Sequence, residues 1–243
     1  MAKSIFDDTA HGLTFSKHTS KALSLVSTKA RGVEMESIVE AVVFDVYGTL
    51  LRHGEARHPF RELMKLLRSQ GRRPHPDDAR TLMTNNVGLA GAAALFDCHL
   101  SHAKLSELEH DLHFELANIK AFEDGLVALN MLQNAGFKLG ACSNLAAPYA
   151  IPAYLLLPKF DVYAWSFEIG AIKPEPAIYR HLVDTFGCAP SSIAMIGDTF
   201  EADVAGSCSA GLRGFHLQRE TADFNEFEDL VSFAEWLIKT AKG

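Results

Sequence analysis

Short apolar runs alternate with helical periodicities along most of this chain. The first run, Ile38-Val39-Glu40-Ala41-Val42-Val43-Phe44, is β-branched and almost uncharged, the pattern of a strand buried on both faces. Similar runs recur at 137–142, 163–167, 193–196 and 212–217. Between them the spacing predicts helices over 125–135, 176–186 and 200–210. Each opens with acidic residues or Pro and stops at Gly136, Gly187 or Gly211, the expected boundary signals. Strands alternating with helices predict an α/β fold, a doubly wound parallel sheet with helices on both faces. Ligands of such sheets bind beyond the carboxyl ends of the strands.

One stretch breaks the alternation. From 53 to 121 only helical stripes occur: Phe60, Leu63, Met64 and Leu67, ending at Gly71, then Leu105, Leu108, Leu112 and Ile119. Such stripes are usually core. A helical block inserted after the first strand predicts a smaller all-helical cap over 53–121, with the core formed by 37–52 and 122–243. Residues 1–36 are rich in Ser and Thr without a sustained period, and read as an unstructured leader or as translated sequence ahead of Met35. Asp7 and Asp8 count against a transit peptide.

Composition narrows the picture. Of the 243 residues, 48% are hydrophobic and 22% charged, an ordinary globular profile, and a chain this long folds without a metal or disulfide staple. A net charge of -7 argues against nonspecific binding to nucleic acid or anionic lipid. The four cysteines, Cys98, Cys142, Cys188 and Cys208, stand singly, which fits a reducing, cytoplasmic setting. No apolar run is long enough to span a membrane.

Candidate chemistry lies at the predicted strand ends. Asp45-Val46-Tyr47-Gly48-Thr49-Leu50 follows the first strand and Ser143-Asn144 ends another. Lys173-Pro174-Glu175-Pro176 opens a helix, and Gly197-Asp198 precedes Thr199-Phe200-Glu201-Ala202-Asp203. Singly, each reads as a cap or turn. Together they bring three carboxylates and one ammonium to one crevice, a costly arrangement unless it has a chemical use. They suggest a carboxylate nucleophile, a divalent cation and a fixed positive charge.

On these four motifs, residues 38–217 resemble the haloacid dehalogenase superfamily of hydrolases, whose cap the helical insert also resembles. The resemblance implies that Asp45 is the nucleophile, forming an ester that water then hydrolyses. It implies that Thr49 and Ser143 hold the transferred group with Asn144 beside them, and that Lys173 neutralises developing charge. Asp45, Asp198 and the main-chain carbonyl of Tyr47 would bind Mg²⁺. Asp203 would act on that ion through water, or orient Lys173. Phosphatases of the family carry an Asp general acid where this chain has Tyr47, and an aromatic residue there is the dehalogenase pattern. Asp198 and Asp203 point the other way, since the dehalogenases place Ser and Asn in that region and work without metal.

Three carboxylates against one lysine would repel a phosphate dianion without a cation. The sequence therefore reads as a Mg²⁺-dependent phosphatase of small phosphate esters, a monomer or homodimer. The alternatives are a metal-independent (S)-2-haloacid dehalogenase and a catalytically weakened binding or regulatory protein. Arg57, Arg61, Arg72 and Arg73 are the candidates for the cap arginine a haloacid carboxylate would need, and none is singled out by its motif. Cys98, His99, His102, His110 and His113 have chelating spacing, although such residues most often face solvent from a helix. Tyr179 reads as helix packing or as a counterpart of a dehalogenase Tyr. His53 and Gly54 read as a hinge, and Cys142 as core.

Overall fold

The computed structural model describes residues 38–219 and 226–241; the expected leader lies outside them. Seven strands form among the described residues: Ala41–Phe44 (β1), Leu51–Arg52 (β2), Lys120–Ala121 (β3), Lys138–Ser143 (β4), Val162–Trp165 (β5), Ile193–Gly197 (β6) and Arg213–His216 (β7). Five of them make one sheet in the order β5-β4-β1-β6-β7, and every pairing in it is parallel. All four residues of β1 are buried. Their alternation divides the core: Val42 and Phe44 join one apolar cluster, Ala41 and Val43 the other. The neighbouring β6 does the same, with Ala194 and Ile196 on the first face and Ile193 and Met195 on the second.

Helices cover both faces, as the alternating pattern predicts. Pro59–Ser69 (α1), Asp78–Met83 (α2), Leu89–Leu95 (α3) and His102–Ala117 (α4) come between β2 and β3. The rest are Glu123–Asn134 (α5), Ile151–Leu156 (α6), Ser166–Ile169 (α7), Pro176–Phe186 (α8), Gly206–Ser209 (α9) and Leu230–Ala241 (α10). Helices α5 and α10 bury Leu129, Leu132, Phe233 and Leu237 in the first cluster, while α8 buries Ile178, Tyr179 and Leu182 in the second. Fully burying each large side chain is worth about 1.5–3 kcal/mol.

The strand order fixes where a site can form. From β1 the chain steps to β4 and β5 on one side, then crosses to β6 and β7 on the other. The crevice beyond the carboxyl ends of the strands at this reversal is where open α/β sheets bind ligands. Strands β2 and β3 pair antiparallel at the entry and exit of the helical insert, so its two connections lie side by side. In the insert Phe60, Leu63, Leu67, Leu108 and Leu112 are buried, as their spacing predicts.

Two predicted elements come out differently. The strand expected over 163–167 stops at Trp165, because Ser166 begins the single turn of α7. The helix expected over 200–210 is a π-helical turn, Phe200–Ala205, followed by α9. Helices α6 and α10 and the short strands β2 and β3 have no counterpart in the pattern, and β3 falls at the end of the stretch expected to be all helical, where the chain returns to pair with β2. No helix among the described residues is long and apolar enough to cross a membrane.

Candidate active site

Each motif reaches the crevice because its strand ends there. Asp45 follows β1 and its N–H donates to the Ile196 carbonyl of β6 at 3.0 Å, which anchors the loop at its first residue. The loop then closes tightly, Leu50 and Leu51 both donating to the Val46 carbonyl at 2.8 Å. Gly48 has φ of 91° within it, the left-handed region that disfavours a side chain. A Cβ on Gly48 would land on the Asp198 carboxylate, and one on Gly197 would land on that of Asp203. These glycines therefore admit the two carboxylates to the backbone of the crevice.

The Asp45 carboxylate is the centre of the polar contacts. Its Oδ1 accepts from Lys173 Nζ at 2.7 Å and Ser143 Oγ at 3.3 Å, and its Oδ2 accepts from Thr49 Oγ1 at 3.3 Å. Lys173 Nζ also donates to Asp203 Oδ1 at 2.6 Å, while Asp203 Oδ2 accepts from the Thr199 N–H at 3.0 Å. Lys173 and Asp203 are fully or nearly fully buried. Of the two roles expected for Asp203, this geometry is that of orienting Lys173. A π-helical turn carries it, a feature often found at functional sites.

Oxygens of Asp45, Asp198 and Asp203 lie within 4.8 Å of one another. Burial, then the Asp45 charge, pushes the Asp198 carboxyl above its ordinary value; burial also raises Asp203, although Lys173 pulls it down. Lys173 is held well above its ordinary value: burial opposes its charge, but Asp203 and Asp45 outweigh burial. One ammonium thus sits among more negative charge than it can balance. A cluster of hard oxygen donors with that imbalance suits a small divalent cation. The chelating spacing at Cys98, His99, His102, His110 and His113 assembles no such group: the three aspartates are the group found among the described residues.

Two of the motif residues spend their side chains on the protein itself. Asn144 is the first. Its Oδ1 accepts from the Lys173 N–H at 2.7 Å and its Nδ2 donates to the Lys173 carbonyl at 2.8 Å, clamping the lysine's main chain. Tyr47 directs its hydroxyl to the Tyr149 carbonyl at 2.8 Å, and its ring stacks on His53 at 4.8 Å. Burial, reinforced by Glu115, drives the Tyr47 hydroxyl far above its ordinary value. It is a poor proton donor there. Tyr179, read as packing or as a dehalogenase counterpart, is buried and donates its hydroxyl to the Ala202 carbonyl, beside Asp203. Cys142 is core as expected, its thiol pushed up to about 12 by burial.

The candidate arginines are partly committed elsewhere. Arg57 pairs with Asp111 at 2.8 Å and lies over the Phe114 ring. Arg72 makes two bonds to Asp78, at 2.7 and 2.6 Å, and lies over Phe96. Arg73 is exposed.

Sequence reasoning missed Glu115. This residue of α4 is 1% exposed, and its Oε2 accepts from the N–H groups of Arg57 and His58 at 2.9 and 2.7 Å. Its Oε1 accepts from Tyr149 Oη at 2.9 Å and lies 3.7 Å from His53 Nδ1. Burial keeps His53 below its ordinary imidazole value, so it faces Glu115 uncharged. The signal was present: Glu115 falls seven residues after Leu108 and three after Leu112, on the apolar stripe of its helix.

Comparison with known proteins agrees with this architecture. The family profile described as haloacid dehalogenase-like hydrolase matches residues 39–211. The chain is 28% identical over 116 residues to glyceraldehyde 3-phosphate phosphatase of Methanopyrus kandleri, covering 45% of this chain and 48% of that protein. It spans between about a quarter and half the length of the curated relatives it matches first. Among solved structures, a HAD phosphatase from Thermococcus onnurineus aligns with TM-score 0.58 and 24% identity, over 82% of this chain and 98% of that one. The 2-haloacid dehalogenase from Pseudomonas syringae pv. Tomato DC3000 gives the same TM-score, 0.58, at 17% identity, over 83% and 99%. At such identities both structures speak for the fold alone. The profile match over most of the chain, joined to the parallel sheet and the motifs at its strand ends, places this protein among the haloacid dehalogenase-like hydrolases.

Proposed function

We propose that this chain is a Mg²⁺-dependent phosphatase of small phosphate esters, with Asp45 as nucleophile and the helical insert as its cap. The observation that carries the reading is the grouping of Asp45, Asp198 and Asp203 around a single lysine. A dianionic substrate would be repelled from that crevice unless a cation joined it. Asp45 and Asp198, with the main-chain carbonyl of Tyr47, would hold Mg²⁺; when bound, the ion offsets phosphoryl charge and draws the phosphate to the crevice. The phosphatase name of the Methanopyrus relative supports the same reading.

The chain's own residues account for the two half-reactions. An Asp45 oxygen attacks phosphorus, the bond to the ester oxygen breaks, and the departing oxyanion takes a proton from water. Water then attacks the phosphoryl group of the aspartyl-phosphate, releasing phosphate and restoring the carboxylate. Thr49 and Ser143 hydroxyls, each within 3.3 Å of Asp45, are placed to orient that carboxylate and the group transferred to it. Lys173, pinned between Asp45 and Asp203, supplies fixed positive charge where negative charge develops. Tyr47 holds its proton in a bond to the Tyr149 carbonyl. The leaving group therefore departs without a side-chain acid, and we infer a preference for aryl and acyl phosphates over alkyl phosphates.

Hydrolysis of p-nitrophenyl phosphate with Mg²⁺ and with EDTA, using Asp45→Asn as blank, tests the reading. Turnover that needs both the ion and Asp45 supports it. Turnover indifferent to EDTA, or none at all, refutes it. Chloride release from 2-chloropropionate would then favour a dehalogenase, for which the aromatic Tyr47 is the favouring feature and the pairing of Arg57 and Arg72 with Asp111 and Asp78 is adverse.

A further inference from the structure

Arg80 lies on α2 in the helical insert, yet it reaches the segment of the core that carries Lys173. Its Nε donates to Glu175 Oε1 at 2.6 Å and its Nη2 to Glu175 Oε2 at 2.9 Å, a two-pronged pair. Nη2 also approaches the Gly170 carbonyl at 3.4 Å. These acceptors stand on either side of Lys173 in the chain, three residues before it and two after. Asn144 separately grips the main chain of Lys173 at both its N–H and its carbonyl. The segment 170–175 is thus held by the sheet through one residue and by the insert through another.

The Arg80 pair is a poor candidate for a purely stabilising role. Its side chains are 43% and 33% exposed, and pairs so open to water contribute little to folding. What distinguishes it is its place and its fork. Planar guanidinium–carboxylate pairing fixes orientation as well as distance, which a lysine in its place would not. The hydrogen bond from Arg80 also holds the Glu175 carboxyl below its ordinary value, so the pair stays ionised at neutral pH.

We propose that Arg80 is a positioning residue, through which the helical insert sets the loop of Lys173 and keeps that ammonium between Asp45 and Asp203. The inference rests on the role proposed above for Lys173. It makes the placement of the insert a condition of the site's charge geometry, because a segment released by Arg80 leaves the main chain of Lys173 to the Asn144 clamp, with only the ammonium's own bonds to Asp45 and Asp203 beside it. A small misplacement of a catalytic group slows the reaction by far more than the strength of the bond that positioned it.

Arg80→Ala should lower kcat on p-nitrophenyl phosphate by about three- to tenfold at low ionic strength, with KM changed by less than about twofold. Raising salt should bring the wild-type kcat down toward that of the variant, whose own kcat stays flat, since an exposed pair is screened. Arg80→Lys should fall between the two. The double variant Arg80→Ala, Glu175→Gln should be no slower than the slower single, because both substitutions break the same pair. Hydrogen exchange over peptides spanning 170–176 should quicken in Arg80→Ala, while α1 and α4 keep wild-type exchange. An unchanged kcat, additive losses in the double variant, or unchanged exchange over 170–176 would each overturn the proposal. If the wild type shows no Asp45-dependent turnover, the phosphatase reading has failed, and the exchange measurement alone decides whether Arg80 holds this loop.

Discussion

Replacing Asp198 by Asn should make the metal-free protein more stable while abolishing its response to Mg²⁺. Asp198 faces two other carboxylates with oxygens within 4.8 Å, and the Lys173 ammonium opposes them. At an effective dielectric of about 20, one pair of unit charges at that distance is worth about 3.5 kcal/mol. Two repulsions less one attraction leave a penalty of the order of a single pair. Partial exposure and protonation reduce it, so the expected gain from Asn is about 1–3 kcal/mol. For a chain of this size that raises Tm by about 2–12 °C. The sign of the pH dependence follows from the raised carboxyl values. The folded state holds protons that the unfolded chain has lost, so the stability of metal-free wild type falls as pH rises through the folded value. The advantage of Asp198→Asn should therefore be largest near about pH 8 and shrink toward about pH 5. If the site holds Mg²⁺ as proposed, the saturating ion should stabilise wild type by linkage, about 2.7 kcal/mol at a hundred times Kd, and leave the variant unmoved. Thermal unfolding in EDTA and in Mg²⁺ at both pH values measures all of this. A variant less stable than wild type in EDTA, or one with the full Mg²⁺ shift, would refute the electrostatic argument.

Substitutions at two further residues probe other parts of the site. Glu115→Ala strands the N–H groups of Arg57 and His58 and the Tyr149 hydroxyl, so urea unfolding should show a loss of about 2–4 kcal/mol. Glu115→Gln, which keeps one acceptor oxygen, should lose about half as much, and a loss in the alanine variant below about 0.5 kcal/mol would show that water satisfies those groups. Tyr47→Asp should raise kcat/KM on alkyl phosphates relative to aryl phosphates by about tenfold or more, because it supplies the missing acid; an unchanged ratio would mean that departure of the leaving group does not limit the rate.

Much of this molecule was legible because its signals are local. The buried runs of β1, β4, β6 and β7 read as strands since a parallel sheet covered on both faces leaves no room for polar alternation. Asp45, Ser143, Lys173, Asp198 and Asp203 were legible as a group because each follows or ends a predicted element, and the crossover of a doubly wound sheet brings such ends together. What escaped depends on partners far apart in the chain. Nothing near Asn144 in the chain shows that its amide clamps Lys173, and nothing near Tyr47 shows that its hydroxyl is taken by Tyr149. The π-helical turn at Phe200–Ala205 has the same apolar content as an α-helix and differs by one residue of register, which periodicity over so short a span does not resolve.

Glu115 and Arg80 mark the larger gap. Both belong to the insert, and both act on the core through Tyr149 and Glu175, at sequence separations of 34 and 95 residues. A charge on an apolar stripe signals that something must pair with it, but not what. The two links differ in kind. Glu115 is itself buried and its bond to Tyr149 is buried with it, so salt screens that link far less than an exposed pair. Arg80 is open to solvent, so its hold on the Lys173 segment weakens as ions screen it. An insert anchored by the first link and adjusted through the second would leave the carboxylates of the crevice unchanged while altering how firmly their one ammonium is held.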